Sequence, residues 1–306
     1  MRRVKDKECR MKILVVAATL SLAFSAPVTP LPYAFTIIDD PAADSVNGER
    51  TRAFGINDVG QIVGDFGRHG FLFSRGTFTT IDVPGAYITQ AFGINDAGQI
   101  VGNISDSTGA HGFLYSSGIF TTIDVPGAGT ANGAATRAYG INATGEIVGD
   151  FDSSTGTHGY LYSDGAFTVI DFPGAYFTQA FGINDAGQIV GSMAFPGVGG
   201  YSGFVYSRGT FTAIKNPNAT APGGDVVTVA FGINNPGQIV GYFTDMGSYR
   251  AFVYDDGAFT AIDLPPGADN QNFALGINDA GHIAGYFNSA TGIHGFLATP
   301  THGRKP

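Results

Sequence analysis

The sequence predicts an all-β protein, a six-bladed β-propeller with four-stranded blades. Three observations carry the prediction: one unit recurs six times, each copy breaks into four short β-forming segments, and the two ends of the array complement each other. Composition agrees. Gly is 46 of 306 residues, roughly double the usual share, and only 13% of residues are charged. The chain has no Trp but carries 25 Phe and 13 Tyr, more apolar and aromatic mass than a disordered chain holds. Gly without a three-residue period excludes collagen.

The first segment stands apart. Arg2, Arg3, Lys5, Lys7, Arg10 and Lys12 precede an apolar run from Ile13 to Ala26, too short to span a bilayer. Residues 1–25 read as a signal peptide with small residues Ala23 and Ser25 at the cleavage site, and 26–32 as a linker. Six of the 16 basic residues and two of the 25 acidic ones lie in that segment, so its removal takes the formal charge from −9 to −13. An acidic mature chain disfavours nucleic acid and anionic membranes as partners. The single Cys, Cys9, leaves with the segment, so the mature chain holds no disulfide, Cys-zinc site or Cys nucleophile. The expected location is secreted or periplasmic, with no membrane insertion after cleavage.

The repeat opens on Gly-Ile-Asn at Gly55, Gly93, Gly140, Gly182, Gly232 and Gly276. One copy reads AFGIND, GQIVG, HGFLYS and GIFTTID between Ala91 and Asp124. Each piece is rich in Ile, Val, Phe, Tyr and Thr and is bounded by turn residues, which reads as four strands in meander order. Asn57-Asp58-Val59-Gly60 marks the first hairpin turn; Ser117-Gly118, Asp164-Gly165 and Asp256-Gly257 mark the third. An orphan fourth strand, Phe35 to Asp39, precedes the first copy, and no fourth strand follows His294-Gly295-Phe296-Leu297. The surplus matches the deficit, as closure of a ring requires, since the first strand then completes the last blade as its outermost strand. A solenoid or two three-repeat domains are the alternatives. The propeller spans 33–299, and 300–306 form a C-terminal tail.

On the inner strands, alternation sets Thr51, Ala53 and Gly55 on one side and Arg52, Phe54 and Ile56 on the other. Bulky faces packed on thin ones predict a ring of inter-blade contacts by Phe54, Phe92, Tyr139, Phe181, Phe231 and Leu275. The strand 2–3 loops and the blade-to-blade loops vary between copies and fall on one face, where binding usually lives.

The export signal, Gly-Ile-Asn-Asp-x-Gly-Gln-Ile-Val-Gly and a following His-x-Phe together resemble the extracellular repeats of the HAF family, over about residues 35–298. The family's His-Ala-Phe is His-Gly-Phe here, at His69, His111, His158 and His294, and two copies carry Ser202 and Arg250 instead. The resemblance implies a secreted repeat protein without an assigned reaction.

Four His on four blades lie too far apart to share a metal ion. They read as structural, each hydrogen-bonding a blade Asn or Asp such as Asn95 or Asp96. The recurrent acids Asp39, Asp82, Asp124, Asp171 and Asp263 read as turn caps. Asp106-Ser-Thr-Gly and Asp152-Ser-Ser-Thr-Gly could hold Ca²⁺, but their spacing departs from the known calcium loop, so no cofactor and no metal site is expected. No phosphate-binding loop, Gly-x-Ser-x-Gly or His-Glu-x-x-His is present.

Binding candidates break the repeat. Arg52, Gln90, Arg137 and Gln179 open successive inner strands, with Val229 and Phe273 in the matching places, giving a polar and an apolar half of one funnel. Tyr87 and Tyr176 lie in neighbouring loops and could stack on a sugar or peptide. The expected function is a monomeric, non-catalytic binding propeller for a glycan, peptide or protein. A channel-centred lyase or hydrolase and a structural matrix protein are the alternatives.

Overall fold

The computed structural model describes residues 33–43, 50–129, 134–263 and 267–301. The signal peptide and linker expected at 1–32, and 302–306 of the expected tail, lie outside the described residues.

β1 (Tyr33–Ile38) comes first. β2 (Thr51–Ile56), β3 (Ile62–Phe66), β4 (His69–Ser74) and β5 (Thr77–Ile81) form an antiparallel meander. The same pattern repeats in β6 (Ile88–Ile94), β7 (Ile100–Ser105), β8 (Gly109–Ser116) and β9 (Ile119–Ile123). It repeats again in β10 (Ala134–Ile141), β11 (Ile147–Ser153), β12 (Gly156–Ser163) and β13 (Ala166–Ile170). β14 (Phe177–Ile183), β15 (Ile189–Ala194), β16 (Ser202–Ser207) and β17 (Thr210–Ile214) follow, then β18 (Thr228–Ile233), β19 (Ile239–Asp245), β20 (Ser248–Asp255) and β21 (Ala258–Ala261). The last is β22 (Ala268–Ile277), β23 (Ile283–Ser289) and β24 (Gly292–Pro300). β1 supplies its fourth strand, pairing antiparallel with β24 from Tyr33–Pro300 to Ile38–Gly295. β24 thus runs one residue past the expected domain end. The described residues contain no α-helix.

Short parallel bridges join neighbouring meanders, as at Thr157–Phe177 and Tyr249–Gln271. Through them the strands merge into eight-, twelve- and four-stranded sheets, none of which closes on itself.

The turns follow from sequence. Arg75-Gly76, Ser117-Gly118, Asp164-Gly165, Arg208-Gly209 and Asp256-Gly257 all have positive φ at both residues, the type I′ hairpin that suits the strand twist. The core lies between the sheets. Each third strand buries one aromatic residue, Phe71, Phe113, Tyr160, Phe204, Phe252 or Phe296, almost fully. Phe71 lies across Gly64 of the second strand, where an added Cβ would sit 2.6 Å from the ring and 2.0 Å from the Arg52 carbonyl oxygen. The glycine of Ile-Val-Gly is therefore a packing requirement.

The strict alternation expected on the inner strands does not hold. Each inner strand carries a β-bulge one residue before the Gly of Gly-Ile-Asn: Ala53 and Gly55 pair with neighbouring residues of β3 and leave Phe54 unpaired between them. The same shift recurs at Ala91/Gly93, Ala138/Gly140, Ala180/Gly182, Ala230/Gly232 and Ala274/Gly276. A bulge re-aims a side chain. Here it turns the aromatic residue away from the sheet-to-sheet core and onto the central axis.

Candidate functional site

The inner strands meet around a common axial space. Phe54, Phe92, Tyr139, Phe181, Phe231 and Leu275 line it together with the Gly and Ile of each Gly-Ile-Asn. Their rings touch in sequence, Phe54–Phe92 at 4.5 Å, Phe92–Tyr139 at 5.1 Å, Tyr139–Phe181 at 5.1 Å and Phe181–Phe231 at 4.5 Å. The expected ring of contacts exists, but as an axial plug rather than as packing of one sheet on the next. It leaves a cavity of about 80 Å³. Apart from the Tyr139 hydroxyl, that lining offers no acid, base or nucleophile.

Two different mouths flank the plug. At the hairpin mouth the copies are nearly identical. Each Asn of Gly-Ile-Asn donates through Nδ2 to the backbone carbonyl of the next copy's Asn: Asn57 to Asn95 at 3.1 Å, Asn95 to Asn142 at 3.0 Å, Asn142 to Asn184 at 3.4 Å, Asn184 to Asn234 at 3.1 Å and Asn234 to Asn278 at 3.0 Å. Asn278 then donates to the Asn57 carbonyl at 3.1 Å. The following residues add a second set of links, broken where Ala143 offers no side-chain acceptor, in which the backbone N–H of Asp58 donates to Asp96 at 2.8 Å and that of Asp279 to Asp58 at 2.7 Å. Burial, with the neighbouring carboxylates of Asp279, Asp96 and Asp185, raises the Asp58 carboxyl above its ordinary range.

At the linker mouth the chain enters each inner strand. The strand 2–3 loops lie on this face too, since Thr89 N–H donates to the Arg68 carbonyl at 2.9 Å and Gly129 N–H to Asp152 at 2.9 Å. Here the copies diverge. Arg52 donates from Nε to Asp65 Oδ1 at 2.9 Å and from Nη2 to Oδ2, while Gln90 of the next meander donates to Oδ2 at 2.6 Å. Two copies on, Arg137 donates to Asp150 at 3.2 Å and to Asp152 at 2.9 Å, and Gln179 donates to Asp150 at 2.8 Å. The side chains of Asp65 and Asp150 are 1% and 0% exposed. Burial pushes the Asp150 carboxyl up to about 6, and Arg137, Gln179 and the neighbouring Tyr139 hydroxyl only partly offset it. Burial works to lower the Arg137 guanidinium, but Asp150 and Asp152 more than compensate and hold it above its ordinary value.

The remaining third of this mouth is aromatic. Val229 pairs with Tyr242 and Phe273 with Tyr286, at the register positions that Arg52–Asp65 and Arg137–Asp150 occupy elsewhere. Phe273 stacks on Tyr286 at 4.6 Å and 25°, with Tyr242 at 5.0 Å and Tyr249 at 5.4 Å. All four rings are half-buried. The Arg52 guanidinium lies over the Phe54 ring at 5.1 Å and the Tyr286 ring at 6.0 Å, joining the polar and aromatic parts.

Arg52, Gln90, Arg137 and Gln179 are thus brought to one mouth, as two Arg–Asp–Gln clusters. Asp65 and Asp150 escaped sequence reasoning, although a signal existed. The residue after Ile-Val-Gly is Asp where the inner strand has Arg, Asn103 or Ser192 where it has Gln, and Tyr where it has Val229. Tyr87 and Tyr176 stand 61% and 49% exposed in matching linkers, anchored by their backbone N–H groups to Ser105 and Ala194. Tyr176 reaches toward the mouth through ring contacts with Phe177 at 6.4 Å and on to Tyr201 at 5.2 Å.

The repeated His is structural in a different way from the one expected. It does not bond Asn95 or Asp96, which belong to the hairpin mouth. His69 pairs through Nδ1 with Asp82 at 2.8 Å, His111 with Asp124 at 2.9 Å, His158 with Asp171 at 2.7 Å and His294 with Asp39 at 2.8 Å. The strand-end Asp is therefore a His partner rather than only a turn cap. The last pair ties β1 to β24. Asp106 accepts from Thr108 N–H at 2.7 Å and Asp152 from Thr157 Oγ1 at 2.8 Å, so both acids of the suspected calcium loops fasten hairpins. Among the described residues no group of three His, Cys, Asp or Glu could hold a metal ion.

No family model matches the chain, and no curated protein does. Among solved structures it is similar to virginiamycin B lyase from Staphylococcus aureus, at 14% identity over 87% of this chain and 99% of that one, with a TM-score of 0.49. It is also similar to the β-propeller domain of the Trilobed protease from Pyrococcus furiosus, at 8% identity over 83% of this chain and 97% of that one, TM-score 0.45. A third is an acylaminoacyl peptidase, at 12% identity over 89% of this chain but 47% of that longer one, TM-score 0.50. These likenesses carry no activity over to this chain, which is all-β and built of repeated antiparallel meanders.

Proposed function

We propose that this chain is an exported extracellular repeat protein of the HAF type, a closed six-bladed propeller that binds a ligand at its linker mouth without transforming it. Closure is supported by the pairing of β1 with β24, the His294–Asp39 pair and the hydrogen bond from Asn278 back to Asn57. The binding reading rests chiefly on where the repeat breaks. The hairpin mouth keeps one Asn in every copy, while the linker mouth replaces Arg52, Gln90, Arg137 and Gln179 by Val229 and Phe273. A rigid scaffold that concentrates its variation at one mouth fits recognition there.

The test is a glycan-array and pull-down screen of wild type against Arg52→Ala/Arg137→Ala. Loss of captured partners in the double variant supports the site. Identical profiles would place recognition elsewhere. Gln90→Ala/Gln179→Ala serves as a second variant, because it leaves both Arg–carboxylate pairs intact.

A further inference from the structure

We propose that the seam where β1 completes the last meander holds a second site, beside the mouth, for a zwitterion of amino-acid or dipeptide size, its carboxylate at Arg50 and its ammonium at Asp40.

The site begins as a break in the repeat. In three copies the residue after the strand-end acid is apolar, Val83, Val125 or Phe172, and packs against a core. At the seam that position is Asp40, which is buried at 6% exposure. The residue leading into each inner strand is Ile88, Ala135, Phe177, Val227 or Gln271 in the other copies, and Arg50 here. No other copy carries a charge at either place.

Both charges lack a full partner. Asp40 Oδ1 accepts from the Ala42 N–H at 2.8 Å and caps a turn, while Oδ2 takes no hydrogen bond and the carboxylate no ion pair among the described residues. Arg50 has a buried Nε without a partner. The carboxylate oxygen 3.9 Å from its Nη2, Asp65 Oδ2, already accepts from Arg52 and Gln90. A sheltered charge without its counter-charge is unfavourable, so a ligand that brings both counter-charges is favoured.

The two groups line one cavity of about 500 Å³, within the range of small-molecule sites. Pro41, Ala43 and Ile293 give it an apolar wall. Asp39 and His294, which also line it, are engaged with each other at 2.8 Å. A simple anion would satisfy Arg50 and be repelled by Asp40, and a simple cation would meet the reverse. A molecule carrying both charges answers both, with an α-carboxylate on the guanidinium fork, an ammonium on Asp40 Oδ2 and an apolar side chain on the wall.

The repeat itself supplies variants that fold. Asn216 stands in the place of Asp40 in another copy and caps the same turn, accepting from the Asn218 N–H at 2.9 Å. Ile88 stands in the place of Arg50. Asp40→Asn and Arg50→Ile therefore remove charge while keeping residues the scaffold already accepts.

The test is isothermal titration calorimetry of the full chain with leucine, phenylalanine, Leu-Leu and Ala-Phe, each beside its N-acetyl and its C-terminal amide form. At least one zwitterion should bind, and its acetylated and amidated forms should each bind about tenfold or more weaker, since each lacks one of the two charges. Asp40→Asn and, separately, Arg50→Ile should weaken the zwitterion by a similar factor, with circular dichroism confirming the fold. Partner capture in the glycan-array and pull-down screen should be unchanged in Asp40→Asn, which separates this site from the mouth. Failure of every zwitterion to bind overturns the inference. So does equal binding of the acetylated or amidated form, which would mean a site for a single charge, or zwitterion binding untouched by Asp40→Asn.

Discussion

The two mouths of the axis are built from the same strands and obey opposite rules. At the hairpin mouth each copy contributes the same Asn, and six side-chain amides pass one hydrogen bond each around the axis. At the linker mouth, only about five residues away along each inner strand, the same register position holds Arg, Gln, Val or Phe. Repetition marks what the ring needs to hold together. Departure from repetition marks what the ring can be used for. Variants at the two mouths should accordingly separate stability from recognition.

The largest effect is expected between the mouths. A Cβ at Gly93 would sit 2.5 Å from the Tyr139 carbonyl oxygen and 3.3 Å from the Gly140 Cα, both backbone atoms of the neighbouring inner strand. Gly93→Ala should therefore cost at least about 3 kcal/mol or abolish folding, as chemical denaturation would record. A neutral result would mean that the inner strands are farther apart than described. Next, Asn95→Ala removes an amide that bonds both Gln99 and the Asn142 carbonyl, at 2.8 and 3.0 Å. Its buried partners lose their donor, so stability should fall by about 1–3 kcal/mol with ligand capture unchanged.

Asp150 sharpens the comparison from the other mouth. Its unfolded carboxyl titrates near 3.8 and its folded one at about 6, so the folded state takes up the proton first as pH falls. The cost of burying the charge is fully present above 6 and is relieved on acidification. Relative to Asp150→Asn, wild type should gain about 1 kcal/mol as pH drops from about 7 to about 5, read as a difference in melting temperature. A gain in the opposite direction would mean that Arg137 dominates the site. The smallest effect belongs to the His–Asp pairs on the outer part of the linker face. His111→Ala should cost roughly 0.5–1 kcal/mol, lowering the melting temperature by a few degrees without altering recognition.

Much of this was legible in the sequence. The I′ turns, the meander order and the pairing of the orphan β1 with β24 follow from turn residues and end complementarity. The bulge was not legible, because Phe54 sits in an unbroken alternating pattern and becomes unpaired only when β3 is laid beside it. The partner of each His was within reach. Every paired His is followed thirteen residues later by its Asp, apart from His294, whose Asp39 lies across the chain ends. Where Ser202 replaces His, Lys215 stands in place of that Asp. Asp65 and Asp150 were missed for a different reason: an acid in a hydrophobic strand reads as a solvent-facing residue until its arginine is seen to cover it.

The most direct measurement compares the two mouths in one experiment. Wild type, Gln90→Ala/Gln179→Ala and Asn95→Ala are each assayed for melting temperature and for capture by the best ligand of the screen. The account predicts that both variants melt below wild type, since each leaves buried acceptors without a donor, but that only the Gln double variant loses about tenfold or more in capture while Asn95→Ala captures normally. Loss of capture in Asn95→Ala with full capture in the Gln variant would contradict it.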